Sequence, residues 1–256
     1  MKIFCTLVLV ALLLPTAGFA ADARCAGSVV AAVAASAANG QDGANVDALV
    51  SSTCKLWPHD RKVILAAVVF SGEGEGNKLL VVATVDAATG RVLSSYQNSV
   101  GEDSATEFGA DSLAIDSAPY QLSPTVRAFG IRFTSSARGA SCPDGIWSDE
   151  LTLFVPRGRA LVPVLQGMAM SRSEARTGCF GGGAGRLVYD AAKLSIGMGE
   201  TVSHGFADLS VSARITRNEP GADFTGKPAT ERTIMRFDGE QYRPVKPQPW
   251  WLLLFP

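Results

Sequence analysis

Residues 149–170 read DELTLFVPRGRALVPVLQGMAM. Leu151, Leu153 and Val155 alternate with Thr152 and Phe154, and after the break Pro156-Arg157-Gly158-Arg159 a two-residue period resumes at Val162, Val164, Gln166 and Met168. That period puts successive side chains on opposite faces of a strand, so two such arms about a turn spell a β-hairpin. The hairpin lies between Cys142 and Cys179.

The same grammar extends outward. Upstream, residues 63–70 form an apolar run of the length expected of a strand buried on both faces, and the glycine-rich stretch 72–76 ends it. A hairpin over 78–97 turns at Asp86-Ala87-Ala88-Thr89-Gly90, with aspartate to bond the turn amides and glycine for positive φ. Further strands are expected over 112–115 and 125–135, where Phe129, Ile131 and Phe133 mark the apolar face. Downstream, strands are expected over 186–189, 193–196 and 209–215, and a last hairpin, 233–245, turns at Asp238-Gly239.

Roughly ten strands at short spacing, with no helical pattern between them, predict a mainly β fold: an antiparallel sandwich or barrel-like single domain over 61–247. The turns DAATG, PRGR and DG recur at unequal spacing with unmatched flanks, which argues against a sequence repeat and leaves a propeller as the minor alternative.

Residues 21–60 differ in composition and predict a short helical N-terminal segment. Val29, Val30, Val33 and Ala37 keep a helical spacing, predicting a helix over 28–38 that Asn39-Gly40 stops. Asn45 is the expected cap of a second helix through Val46, Leu49 and Val50, ended before Pro58.

Residues 1–20 read as a secretory signal peptide: Lys2, an apolar run over 4–14, then a small-residue exit with Gly18 and Ala20. Export to the periplasm or medium follows as an expectation. Cys25 follows Asp22-Ala23-Arg24 and not a lipoprotein box, so the mature chain reads as free of a lipid anchor. Without the leader's one lysine the totals of 23 basic and 24 acidic residues become 22 and 24, a net charge of −2 that offers no overall attraction for nucleic acid or an anionic membrane.

Cys5 leaves with the leader, and the remaining Cys25, Cys54, Cys142 and Cys179 predict two disulfides. Four cysteines allow three connectivities, among which neighbour pairing, Cys25 with Cys54 and Cys142 with Cys179, is favoured because each bridge then staples a separate unit. The absence of C-x-x-C argues against a metal or redox site.

Chemistry leaves few marks. The two histidines, His59 and His204, stand far apart; Ser203-His204 with Asp208 has adjacency without a G-x-S-x-G elbow. Adjacent acids occur at Glu73 with Glu75, Glu102 with Asp103, and Asp149 with Glu150, a residue type that glycosidases use in pairs. None lies in a calcium-loop frame. The glycines over 181–185 precede a strand-like stretch and not a helix, which reads as a loop and not a phosphate cradle. Arg127, Arg132, Arg138, Arg157 and Arg159 are scattered among acids. No catalytic residue, cofactor or metal ligand is therefore assigned.

The C-terminal stretch 248–256, with Trp250, Trp251, Leu252, Leu253, Leu254 and Phe255, reads either as a segment packed on the sheet or as an apolar tail that touches a partner or a membrane interface. It is too short to span a bilayer as a helix.

The segments CKLWP (54–58), YQLSPTVRAFGI (120–131) and RFDGEQYRP (236–244) resemble a group of exported, periplasmic β-rich proteins of proteobacteria to which no activity is attached. The resemblance implies an envelope location and transfers no site residue. The functional expectation is a non-catalytic binding or interaction module of the cell envelope, recognising a glycan or another protein; the alternative is an exported glycan-acting hydrolase using a carboxylate pair. Two acids facing each other across a concave pocket distinguish the second.

Overall fold

A computed structural model describes residues 23–37, 45–182, 186–218, 228–245 and 247–255. The expected leader lies outside them, as does Ala38. Strands dominate: β1 (Leu49–Leu56), β2 (Val63–Ser71), β3 (Asn77–Asp86), β4 (Val92–Gly101), β5 (Leu113–Asp116), β6 (Phe129–Phe133), β7 (Gly145–Arg157), β8 (Ala160–Thr177), β9 (Val188–Ser203), β10 (Phe206–Asn218), β11 (Ala229–Phe237) and β12 (Tyr242–Pro244), with one helix, α1 (Gly27–Ala37). The mainly β expectation holds, in a sandwich-like form and not a closed barrel.

Two antiparallel meanders, β1-β2-β3-β4 and β5-β6-β7-β8-β9-β10-β11-β12, are joined where β4 touches β8. That contact is a single parallel pair, Ser95 with Ala160, so the sheet is mixed and not purely antiparallel. The Ser95 amide donates to the Arg159 carbonyl at 3.1 Å.

Each layer follows from side-chain alternation. Leu65, Ala67 and Val69 of β2 face a core shared with Ile115, Phe129, Ile131 and Phe154, whereas Ala66, Val68 and Phe70 face α1. The helix, through Val30, Val33 and Ala37, explains why the apolar run over 63–70 has no polar face. The second meander gathers Leu153, Met168, Val211, Met235 and Tyr242 into a further core on its own inner face.

Several expectations are corrected. Asn45 caps only a single 3-10 turn, Val46–Ala48, and the chain then enters β1 in place of the predicted second helix. The sequence Val50-Ser51-Ser52-Thr53 is poor in helix formers, and Ser51 and Thr53 are buried in the ladder against β2. The expected helical segment 21–60 therefore contributes an edge strand to the sheet. Strands 186–189 and 193–196 are one strand, β9, because nothing between them breaks it: Asp190, the charge in the gap, is held by Arg217 Nε and Arg176 Nε, each at 2.8 Å. The Asp238-Gly239 turn spans four residues and not two, since Phe237 pairs with Tyr242 and Asp238 Oδ1 accepts from the amides of Glu240 and Gln241.

On β8 the uniform two-residue period fails. Pairing steps from Phe154–Pro163 to Leu153–Leu165 and then to Leu151–Met168, so β8 carries extra residues in two bulges and Leu161, Val164, Leu165, Met168, Ala169 and Met170 are the buried set. Gly167, at φ +50°, occupies the second bulge.

Both disulfides join neighbours, Cys25 with Cys54 and Cys142 with Cys179. The first ties the lead-in of α1 to β1, and not two helices to each other. The tail is also resolved: Trp251 and Leu252 are buried in the second core, which removes them from the expected partner contact. Beyond them the Ala169 amide donates to Leu253 O and the Phe255 amide donates to Gly167 O, both at 3.0 Å, so the tail adds to β8 beside the edge that β9 occupies further along. Apolar side chains were a reason to expect an exposed tail, but an open strand edge and a core lacking a lid bind it first. No described helix is long and apolar enough to cross a membrane.

Candidate functional site

Where β4 and β8 part after their one pair, the space between the meanders is not filled. Tyr96, Asn98 and Val100 project from β4 on one side; Phe154, Thr152 and Glu150 from β7 and Gln166 from β8 stand on the other. The result is a cleft of about 280 Å³, floored by the open end of the core around Phe108, Ile131 and Phe133. The Tyr96 and Phe154 rings lie 5.2 Å apart, and those of Phe108 and Phe133 4.6 Å apart.

A second recess of about 290 Å³ adjoins it, walled by residues 137–140 and Pro143 next to the Cys142–Cys179 bridge, and by Ile146 and Ser148 of β7. Ala105, Phe133, Trp147 and Glu150 line both spaces, so Trp147 and Glu150 form the partition of a two-lobed site. Trp147 is 42% exposed and Ile146 43%, a notable degree of apolar exposure beside the buried Leu151, Leu153, Phe154 and Val155 of the same strand.

Glu150 is the distinctive group. Trp147 Nε1 donates to its Oε1 at 3.2 Å. Burial pushes its carboxyl above the usual range, partly offset by that hydrogen bond. No cation pairs with it among the described residues. Asp149, its neighbour, adopts φ +65° and sits 3.0 Å from Arg132 Nε, which is also 3.8 Å from Asp116 Oδ2. Burial raises the Asp149 carboxyl, the Arg132 charge lowers it, and Asp116 adds to the rise.

The remaining sequence candidates fall elsewhere. Glu102 accepts from Lys78 Nζ at 2.6 Å and from the Phe108 amide, which holds its carboxyl below the usual range. Asp103 closes a turn by accepting from the amides of Ala105 and Thr106. Glu73 lies in the β2–β3 turn, its carbonyl accepting from Asn77. His204, at φ +48°, bonds the Phe237 carbonyl through Nδ1 at 2.8 Å, while Asp208 accepts from Thr201, so the serine, histidine and aspartate do not converge. His59 rests against Trp57 at 5.3 Å. Gly181 and Gly182 pack against Ser141 and the Cys142–Cys179 bridge, and 183–185 lie outside the described residues. Among the described residues no group of His, Cys, Asp and Glu could hold a metal ion.

Of the acid pairs, Asp149 with Glu150 is the one that lines the two recesses. The partition residue Trp147 and the cleft wall Tyr96 were not singled out from sequence, because they come from β7 and β4 and carry no local motif; Phe255 was singled out only as part of the apolar tail. An indole three residues before an acid, Trp147 and Glu150, is the signal that the sequence carried.

Chemically the site offers a mostly apolar, aromatic surface with a few polar groups, the composition of a small-ligand pocket. No family model, no curated protein and no solved structure matches the chain.

Proposed function

We propose that the chain is a non-catalytic binding module of the cell envelope whose two-lobed cleft takes a compact, largely apolar molecule carrying one polar or basic group. The observation that carries this reading is the Trp147–Glu150 partition: an exposed indole and a half-buried carboxyl with no cation beside it among the described residues, in a cleft whose lining includes Tyr96, Phe108, Phe133 and Phe154. The aromatic walls supply contact area with little side-chain entropy to lose, and Glu150 gives an acceptor or ion-pair partner within the cleft. The envelope location draws on the two disulfides and on the leader-like residues 1–20.

Titration with the uncharged apolar fluorophore N-phenyl-1-naphthylamine tests this. Saturable binding to one site is expected, lost in Ala105→Trp, which places an indole at the exposed junction of both lobes. Absence of saturable binding, or unchanged binding in Ala105→Trp, overturns the reading.

A glycan hydrolase is the second reading, favoured by one observation: Asp149 and Glu150 line the same recess and burial raises both carboxyls. Neighbours on one strand share a wall, however, whereas hydrolysis needs acids flanking the bond. Release of reducing sugar from envelope glycan that Glu150→Gln abolishes would establish the enzyme.

A further inference from the structure

The outer face of the second meander carries charges arranged against its own stability. Lys193 of β9 pairs directly with Arg214 of β10, and Arg236 of β11 directly with Arg243 of β12. Arg232, registered with Ser212, stands between them on the same face, since Val211, Ala213 and Met235 fill the opposite one. All five cations are exposed. At the turn end Arg236 has Asp208 at 3.8 Å and Arg243 has Asp238 at 3.4 Å. Lys193, Arg214 and Arg232 have no acid beside them among the described residues; Arg232 Nε donates to Ser212 Oγ at 3.3 Å.

Directly opposed strand residues hold their Cβ atoms roughly 5 Å apart, and like charges so placed repel. With a net charge of −2 expected for the mature chain, no general excess of positive charge explains the pattern. Around the three cations most of the registered residues are small or hydroxylated, Ser195, Gly197, Ser210, Ser212, Thr216 and Thr230, with Ala191 and Ile234 the apolar members of the face. Such a surface is rich in donors and acceptors, and without aromatic rings to stack on bases or enter a bilayer.

We propose that this face binds an anionic polysaccharide, its carboxylates bridging Lys193, Arg214 and Arg232 and its hydroxyls bonding the serine carpet. A bound polyanion converts the repulsion into attraction, so the charges opposed in the free protein are complementary in the complex. The site is separate from the cleft and independent of what occupies it.

Calorimetric titration with polygalacturonate at low ionic strength tests the assignment. Arg214→Ser with Arg232→Ser is expected to weaken binding about tenfold or more, and the wild-type affinity to fall steeply as salt rises. A control with the same charge change, Arg157→Ser with Arg159→Ser in the exposed β7–β8 turn, should bind as wild type. In the free protein Lys193→Ser should raise the melting temperature at low salt and lose that advantage at high salt. No binding of polygalacturonate, equal losses in the two double variants, or equal affinity for duplex DNA or phosphatidylglycerol vesicles overturns the proposal.

Discussion

The ring of Phe255 lies 5.4 Å from that of Trp147, tilted 37° to it, so the last described residue of the chain props the residue that divides the cleft. Its backbone is fixed by the bond from the Phe255 amide to Gly167 O. The bulge at Gly167 leaves room for this, because a Cβ there would lie 2.8 Å from the Phe255 Cβ. Core, strand edge and site thus meet in one short segment, and the tail is a structural part of the cleft.

Trp251 anchors that segment. It is fully buried, and its Nε1 donates to Glu231 Oε2 at 2.6 Å. Trp251→Ala removes the largest buried side chain of the second core and is expected to cost about 3–5 kcal/mol. A thermal melt should show a fall of roughly 10 °C. A melting temperature unchanged by this substitution, or by deletion of 250–256, would show that the tail merely rests on the surface.

Much of the scaffold was readable in advance because local chemistry decided it. The run Val63–Phe70 had to be a doubly buried strand, and Asp86 with Gly90 had to close a turn; Asp86 Oδ1 indeed accepts from the amides of Ala88 and Thr89. What could not be read depended on distant partners. Asn45 carried a valid helix cap, but Leu49–Leu56 gains more by pairing with β2 than three turns of isolated helix could offer. The bulges of β8 move Leu165 into the core against the sequence period. The partition of the cleft joins Trp147 and Glu150 to Ala105, 45 positions from Glu150 and in no motif with it.

Removing the Cys142–Cys179 bridge should loosen the second recess more than the fold of the first meander. The bridge closes a separation of 37 residues. Loop-closure entropy puts its worth at about 4 kcal/mol, an upper figure for a chain with a compact unfolded state. In Cys142→Ser with Cys179→Ser, hydrogen exchange should quicken over 137–143, which walls the recess, while β2 and β3 stay protected. Peptide mapping without reduction should recover both neighbour pairs; free thiols at Cys142 and Cys179 in the native protein would refute the arrangement.

Glu150 predicts the pH response of the site. Burial raises its carboxyl in the folded protein above the value in the unfolded chain, so over that window the folded state holds the extra proton. By linkage its contribution to stability is fully present below the unfolded value and is lost as pH rises through the folded one. Glu150→Gln keeps an acceptor for Trp147 Nε1 and removes the charge that burial disfavours. The variant should therefore be more stable than wild type at neutral pH and should lose most of that advantage in acid below the ordinary carboxylate range. Urea melts at both pH values measure the difference. A variant less stable than wild type at neutral pH would mean that the ionised carboxylate is held by a partner, and that Glu150 is a structural acid in place of a ligand contact.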